Sequence, residues 1–398
     1  MRRDEIPFLQ IVHYSDMHIV GSQFLKQRHA TAKLFKRLPP EWQQGLEGAD
    51  VSALYAFEEF LRNEISKDSD WGSAPCWLVD TGDGTTFGDD ESLTDWLQCW
   101  TPRFKAACGQ QTSQLVLYGN HDAWPATHPL LAWRGNGGPA QAMTQQRDSL
   151  RKRWFPNPLP VAPLAVSVPN STSEVQLFSL NSVDHGLWPG VLAQGRVLPD
   201  QFWKTPPPMV GPTAADDLGR LAQACSSGSG GRDLRILAMH YPVAAGAVPG
   251  NPRFQQILTN RQNFGNELLT TRFQQQPLIH LHIGGHTHIT HPFIGSFPNT
   301  SVSANYPPLP GSSVQHVTAS TSQRNIAATP AANPTYAERC QEDFPYQCTV
   351  FRLSSNKRNP REVIVRRAIA GCQPGGAFGF LPLAPGSARA YEKLSFVL

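Results

Sequence analysis

Charge is scarce in this chain. Of its 398 residues only 16% are Asp, Glu, Lys or Arg, and 34 basic against 31 acidic side chains leave a formal net charge of +3. So small an excess argues against a nucleic-acid partner or an anionic membrane surface. Long apolar runs are missing too: no stretch of about 18 apolar residues, the length a spanning helix needs, occurs anywhere. The apolar start at Phe8 to Val12 is short, is broken by Gln10 and runs straight into His13 and Asp16, which is not the layout of a secretory leader. Cysteine is sparse: seven residues, an odd number without C-x-x-C spacing, make neither a disulfide framework nor a zinc knuckle. There is no G-x-S-x-G elbow, no activated-cysteine motif and no internal repeat, so the covalent-nucleophile routes those motifs mark are not expected. The expectation is a globular, cytoplasmic protein of a reducing compartment.

What the chain does have is proline (35) and glycine (32), the makings of long, shaped loops around a regular centre. Apolar stretches of strand type lie at 8–15, 76–79, 114–118, 175–180, 234–239, 278–283, 314–318, 348–353 and 362–369, and the chain is expected to finish in a Gly/Pro-rich tail. Helical spacing marks 53–65, where Leu54, Phe57, Leu61 and Ile65 share a face, and also 141–154, 214–225 and 262–271. The stripe Leu93, Trp96, Leu97, Trp100 and Phe104 has the same period and reads as core. Strands separated by helical segments form a sheet whose carboxyl ends share one rim.

Five of those strands stop in side chains able to bind a cation: Asp16 and His18, Asp83, Asn120 and His121, His240, and His286 and His288. Histidine nitrogen mixed with carboxylate and amide oxygen suits first-row metals such as Fe, Mn, Zn or Co. It is too rich in nitrogen for calcium and lacks the thiolates of a structural zinc. A carboxylate such as Asp83 can bridge two cations roughly 3.5–4 Å apart, the separation used in two-metal hydrolysis. Other histidines read differently. His13, and the pair His280 and His282, sit on strands and are expected to be hydrogen-bonded scaffold. The basic pairs Lys357-Arg358 and Arg366-Arg367 read as a solvated hairpin.

In order, Asp16-x-His18, Gly82-Asp83, Gly119-Asn120-His121-Asp122, His240 and Gly285-His286-x-His288 resemble the signature of the calcineurin-like metallophosphoesterases, across residues 8–290. The resemblance implies an α/β fold, a four-layer αββα sandwich of two mixed sheets, with a dinuclear metal site at the carboxyl ends of the strands. It implies two divalent or trivalent ions (Fe, Mn or Zn), one held by Asp16, His18, Asp83 and His288, the other by Asp83, Asn120, His240 and His286. It further implies attack by a metal-bridging hydroxide on a phosphodiester, with His121 as proton donor oriented by Asp122. The match leans to the cyclic-nucleotide-phosphodiesterase-like branch. Gly82-Asp83-Gly84-Thr85-Thr86-Phe87 lacks the arginine of the Ser/Thr phosphatase motif, and His18 and the absence of a following tyrosine depart from the purple acid phosphatases.

A phosphomonoesterase of the same fold, a nuclease, and a non-catalytic scaffold with this fold are the alternatives, the last disfavoured because every ligand position is filled by a competent residue. The expected organisation is a catalytic domain over 1–320, with insertion loops at about 21–74 and 123–140, and an extension over 321–398 that completes the sheet. Trp124, with Trp133 in the loop after the catalytic turn, and His185 are the candidates for contact with a small-molecule phosphoester.

Overall fold

The computed structural model describes residues 4–21, 48–124, 145–156 (less 147 and 151), 163–180, 182, 213–226, 232–241, 272–273, 276–295 (less 287 and 289), 313–317, 321–322, 343–382 and 391–398. In chain order these form β1 (Glu5–Tyr14), helix α1 (Val51–Phe60, continued by a π-helical turn Leu61–Ile65) and β2 (Cys76–Asp80). Then come α2 (Asp90–Thr94, π-helical through Asp95–Trp100, then Thr101–Cys108), β3 (Thr112–Val116), β4 (Leu164–Ser167), β5 (Glu174–Ser179), α3 (Thr213–Ser226) and β6 (Leu234–Ala238). The strands continue with β7 (Arg272–Phe273), β8 (Gln276–Pro277), β9 (Leu281–Gly284), β10 (His291–Gly295) and β11 (Ser313–Val317). Last are β12 (Tyr346–Asn356), β13 (Glu362–Cys372), β14 (Gly379–Phe380) and β15 (Glu392–Val397).

Two mixed sheets make the architecture. One runs β14-β13-β12-β1-β2-β3, with β15 also paired to β13; the other runs β10-β11-β9-β6-β5-β4. Both are parallel where the chain crosses over, β1 to β2 to β3 and β5 to β6 to β9 to β11; the first sheet is antiparallel from β1 through β12 to its other edge, and the second at both edges. Alternation along the strands decides the layers. Ile11, Val79, Phe351 and Val365 from the first sheet meet Leu177, Ile236, Leu281 and Ile283 from the second in one buried cluster between the sheets. The opposite faces pack against helices: Val12, Tyr14 and Leu78 against Leu54, Phe57, Trp96 and Phe104 of α1 and α2, and Phe178 and Leu237 in the same cluster as Leu221 of α3. The stripe through α2 is therefore core, as its spacing requires.

Both first helices start on an aspartate cap. Asp50 accepts from the Ser52 N–H at 2.9 Å and Asp89 from the Ser92 N–H at 2.9 Å, satisfying amide groups that the helix leaves without a partner. The C-terminal end is no mere tail: Glu392–Val397 is a strand in register with Glu362 to Arg367. Arg366 and Arg367 are not a freely solvated pair either. Arg366 pairs with Glu5 at 2.5 Å, and Arg367, 5% exposed, pairs with Glu392 and meets His316 at 3.0 Å. β4 and β10 had no strand expectation, and the expected helix at 262–271 lies outside the described residues, as do 22–47 and 125–140 of the two expected insertions. Among the described residues no helix is long and apolar enough to cross a membrane.

Candidate metal centre

Parallel strands in both sheets end on one rim, and the side chains able to bind a cation follow their last residues: Asp16 and His18 after β1, Asp83 after β2, Asn120 after β3, His240 after β6, His286 and His288 after β9. The backbone there is unusual. Six non-glycine residues are described in the left-handed region, and five are Asp16 (φ 55°), His18 (54°), Asp83 (53°), His286 (68°) and His288 (56°). Each such residue costs roughly 1–2 kcal/mol, so the neighbouring structure must hold it. Asp16 N–H donates to the Gly82 carbonyl at 2.8 Å, His18 N–H to the Asp83 carbonyl at 2.9 Å, and Gly285 N–H to the His240 carbonyl at 3.1 Å. The His286 N–H donates to the Asp16 carboxylate at 3.0 Å. Two glycines allow this crowding: a Cβ on Gly119 would collide with Asp83 Oδ1 and the His240 ring, and one on Gly285 with Ser15 Oγ and Asp16 Oδ2.

The resulting side chains gather in two groups that share Asp83. Asp16, His18, Asp83 and His288 each offer one donor atom within 4.8 Å of the others, and so do Asp83, His240 and His286. Three observations fit this donor set to cations. His18 Nε2 and His288 Nε2 face each other at 3.1 Å, two imidazole nitrogens aimed at one point. Both ring nitrogens of His286 are buried with no hydrogen-bond partner, at a cost of about 1–3 kcal/mol each, and Asp83 Oδ2 lies 3.3 Å from His240 Nε2. Finally, His240 Nδ1 lies 2.9 Å from the Thr81 carbonyl, so its proton is there; Nε2 then turns a lone pair towards Asn120 Oδ1 at 2.9 Å. Two acceptors face one another, which a cation between them, or a proton on the ring, would resolve.

Without cations the charges settle among themselves. Burial alone would lower the His240 pKa, but the charge of Asp83 and its hydrogen bond outweigh burial and lift it to about 9. Burial pushes Asp83 up, but the charges of His240 and His121 overcome it and hold the carboxyl well below its usual range. Asp16 behaves alike: burial raises it, and the charge of His288 brings it down to about 2. His286, buried beside the His240 charge, falls to about 3, and His18 is lowered by burial and by His121. The carboxylates of Asp16 and Asp83 and the neutral rings of His18 and His286 are in the states that bind metal, whereas His240 carries a proton that a cation would have to displace.

His121 stands at the edge of the groups. Its N–H donates to Asp83 Oδ1 at 2.8 Å, and its ring meets the His18 ring edge-on at 4.6 Å. Orientation of that ring does not come from Asp122. His121 Nδ1 lies 3.0 Å from the Thr86 carbonyl, whereas the Asp122 carboxylate accepts from Gly119 N–H (2.8 Å), Gly84 N–H (3.3 Å), Thr85 N–H (2.8 Å) and the Thr85 hydroxyl (2.8 Å). A carboxylate has acceptor sites for all four, so Asp122 ties the turn after β2 to the turn after β3. Burial and the charge of Asp83 raise its pKa to about 7 against the pull of those hydrogen bonds.

Trp124 does not line an open cleft: it is 4% exposed, with its ring against His121 at a centroid separation of 3.8 Å. Trp133 and His185 lie outside the described residues. Sequence reasoning passed over Thr81, Thr85 and Thr86. Two of them act through a backbone carbonyl, which any residue supplies, so no signal in the sequence could have marked them. Of the scaffold histidines, His13 Nε2 meets Thr81 Oγ1 at 3.0 Å and His280 Nδ1 accepts from the Arg235 N–H at 3.1 Å. His282 breaks the expectation: both its nitrogens are buried without a partner.

A family model described as calcineurin-like phosphoesterase matches residues 9–290. No curated protein matches the sequence. A solved structure described as "Structure of PhoD" superposes with a TM-score of 0.48 at 8% identity, covering 96% of this chain and 74% of that one; so loose a likeness carries no argument.

Proposed function

The chain belongs to the calcineurin-like phosphoesterases and is a metal-dependent phosphoesterase, and from that premise we propose that it hydrolyses a phosphodiester with His121 as the proton donor. The observation that carries this is the fixed tautomer of His121. Its Nδ1 proton is committed to the Thr86 carbonyl, so Nε2 is the nitrogen left to exchange a proton with a bound ester. Burial lowers the His121 pKa, which makes its imidazolium the stronger acid, and a bound anionic phosphate counters that shift by favouring the charged ring. As water oxygen forms the new P–O bond and the old one breaks, the proton on Nε2 passes to the leaving oxygen; the water gives up a proton to solvent, and the neutral imidazole is reprotonated from there.

Asp16, His18, Asp83 and His288 would hold one cation, and Asp83, Asn120, His240 and His286 the other, each Fe, Mn or Zn. Bound there, the pair would supply Lewis acidity towards water and towards the phosphoryl oxygens. Thr81 fixes the His240 ring for this through its carbonyl, an outer contact of the kind that orients metal-binding histidines. Asp122 keeps the two turns, and hence Asp83 and Asn120, at their spacing.

Preference for a diester over a monoester is supported by what the turns carry. Neither 81–88 nor 119–124 contains a lysine or arginine, so these turns add no fixed cation of the kind that matches a doubly charged monoester. Rates on bis-p-nitrophenyl phosphate against p-nitrophenyl phosphate test the proposal, with a higher kcat/KM on the diester expected. A monoester preference would replace it with the phosphomonoesterase reading. For the proton donor, His121→Asn is expected to cost on the order of 10²–10⁴ in kcat on an ester with a basic leaving group and much less on a p-nitrophenyl ester, whose leaving group needs no proton. Equal losses on both would leave His121 without that role.

A further inference from the structure

His121 is held at more points than its hydrogen bond. The Thr86 carbonyl fixes Nδ1, the His18 ring meets the imidazole edge-on, and the indole of Trp124 lies along its face, 3.8 Å between centroids and 32° between planes. Trp124 is itself anchored. Its backbone N–H donates to the His121 carbonyl at 3.1 Å, Phe87 lies against its ring at 6.2 Å, and the side chain is 4% exposed. The backbone beneath is just as close. Gly88 sits at φ +59°, and a Cβ there would collide with the carbonyl oxygens of Asp122 and Trp124.

We propose that Trp124 is a positioning residue for proton transfer, its indole acting as the surface that stops the His121 ring from tilting out of line with the leaving oxygen. A single hydrogen bond at Nδ1 resists but does not stop rotation about the Cβ–Cγ bond, whose well is broad for histidine, and any such rotation carries Nε2 with it. A flat partner lying against the ring at a small tilt removes that freedom at the face. Alignment is what a general acid needs, since a shift of about 1 Å can cost up to 10²-fold in rate. The inference rests on the proton-donor reading of His121 and gives Trp124 a part in the reaction without contact with the substrate.

The test uses the metal-loaded full chain with Trp124→Leu, Trp124→Phe and His121→Asn, each checked for metal content and far-UV dichroism. Two diesters of similar shape serve as probes: diphenyl phosphate, whose leaving group needs a proton, and bis-p-nitrophenyl phosphate, whose leaving group does not. Trp124→Leu is expected to lower kcat on diphenyl phosphate roughly 10–100-fold, with KM little changed and bis-p-nitrophenyl phosphate slowed about threefold or less. Trp124→Phe, which keeps a flat face, should recover most of that loss. A second readout needs no turnover: the His121 Hε1 resonance, identified by its disappearance in His121→Asn, should move when the ring current of the indole is removed. Equal slowing of both diesters by Trp124→Leu, an unmoved His121 resonance, or no recovery with Phe would overturn the positioning role. A selective loss in His121→Asn with none in Trp124→Leu would overturn that role alone, whereas no selective loss in His121→Asn would remove the proton-donor reading and the positioning role with it.

Discussion

Among the described residues two buried imidazoles, His282 and His286, have no hydrogen-bond partner at either ring nitrogen, and their settings separate function from packing. His286 faces Asp83 and His240, where a cation can meet it. His282 sits in the middle of β9, opposite Leu237 on one side and Gln315 on the other, and burial alone depresses its pKa from 6.5 to about 3. The folded protein therefore keeps His282 neutral while the unfolded chain takes up a proton between those values. Stability from this residue is complete above pH 6.5 and is lost as the pH falls towards 3. At about 1.4 kcal/mol per unit, the loss by pH 4 is roughly 3 kcal/mol. His282→Leu should flatten that acid limb in urea melts taken from pH 7 to pH 4; an acid limb as steep as that of the unaltered chain would show that other groups cause it. The sequence showed that His282 lies on a strand, but not that it has no hydrogen-bond partner, because a partner would come from an element remote in the chain.

At the scale of elements, the chemistry lies in the turns that leave the strands, and their glycines are what let the ligands converge. Gly119→Ala puts a methyl group onto Asp83 Oδ1 and the His240 ring, the two side chains common to or central in the second group. Neither can retreat, since each is buried and His240 is held by the Thr81 carbonyl. The variant should keep its far-UV spectrum and melt near the unaltered chain yet bind Mn²⁺ at least tenfold more weakly by calorimetric titration, an expectation resting on the tenfold or larger losses seen when metal-site supports are disturbed. Unchanged affinity would mean that the turn has slack. The turns themselves were legible because an apolar run that stops in Gly-Asn-His-Asp or Gly-Gly-His-Thr-His changes character abruptly. Strand ends were less so: β3 stops at Val116, two residues before its apolar run does, while Leu117 N–H still bonds to the Asp80 carbonyl at 2.9 Å.

Across the whole molecule, the first strand depends on the last third of the chain. β1 pairs with β2 on one side and with β12 on the other, from Glu5–Asn356 to His13–Thr349. Truncation after Val317 would strip that side of β1 and open an apolar sheet edge, a template for aggregation. The shortened chain should be recovered insoluble or without a cooperative thermal transition; a soluble, cooperatively melting fragment would show that the sheet closes without β12. This placement was not readable from sequence, where periodicity marks a strand but not its neighbour, and the same holds for β15 at the end of a Gly/Pro-rich stretch. The order of elements did carry through, because it depends on residues adjacent in the chain. The central claim, that both groups of ligands hold metal and share Asp83, is tested most directly by elemental analysis of purified Asp83→Asn beside the unaltered chain and His18→Ala. Two ions per chain are predicted for the unaltered protein, one or two for His18→Ala, and close to none for Asp83→Asn with its fold retained; two ions per chain in Asp83→Asn would contradict the shared site.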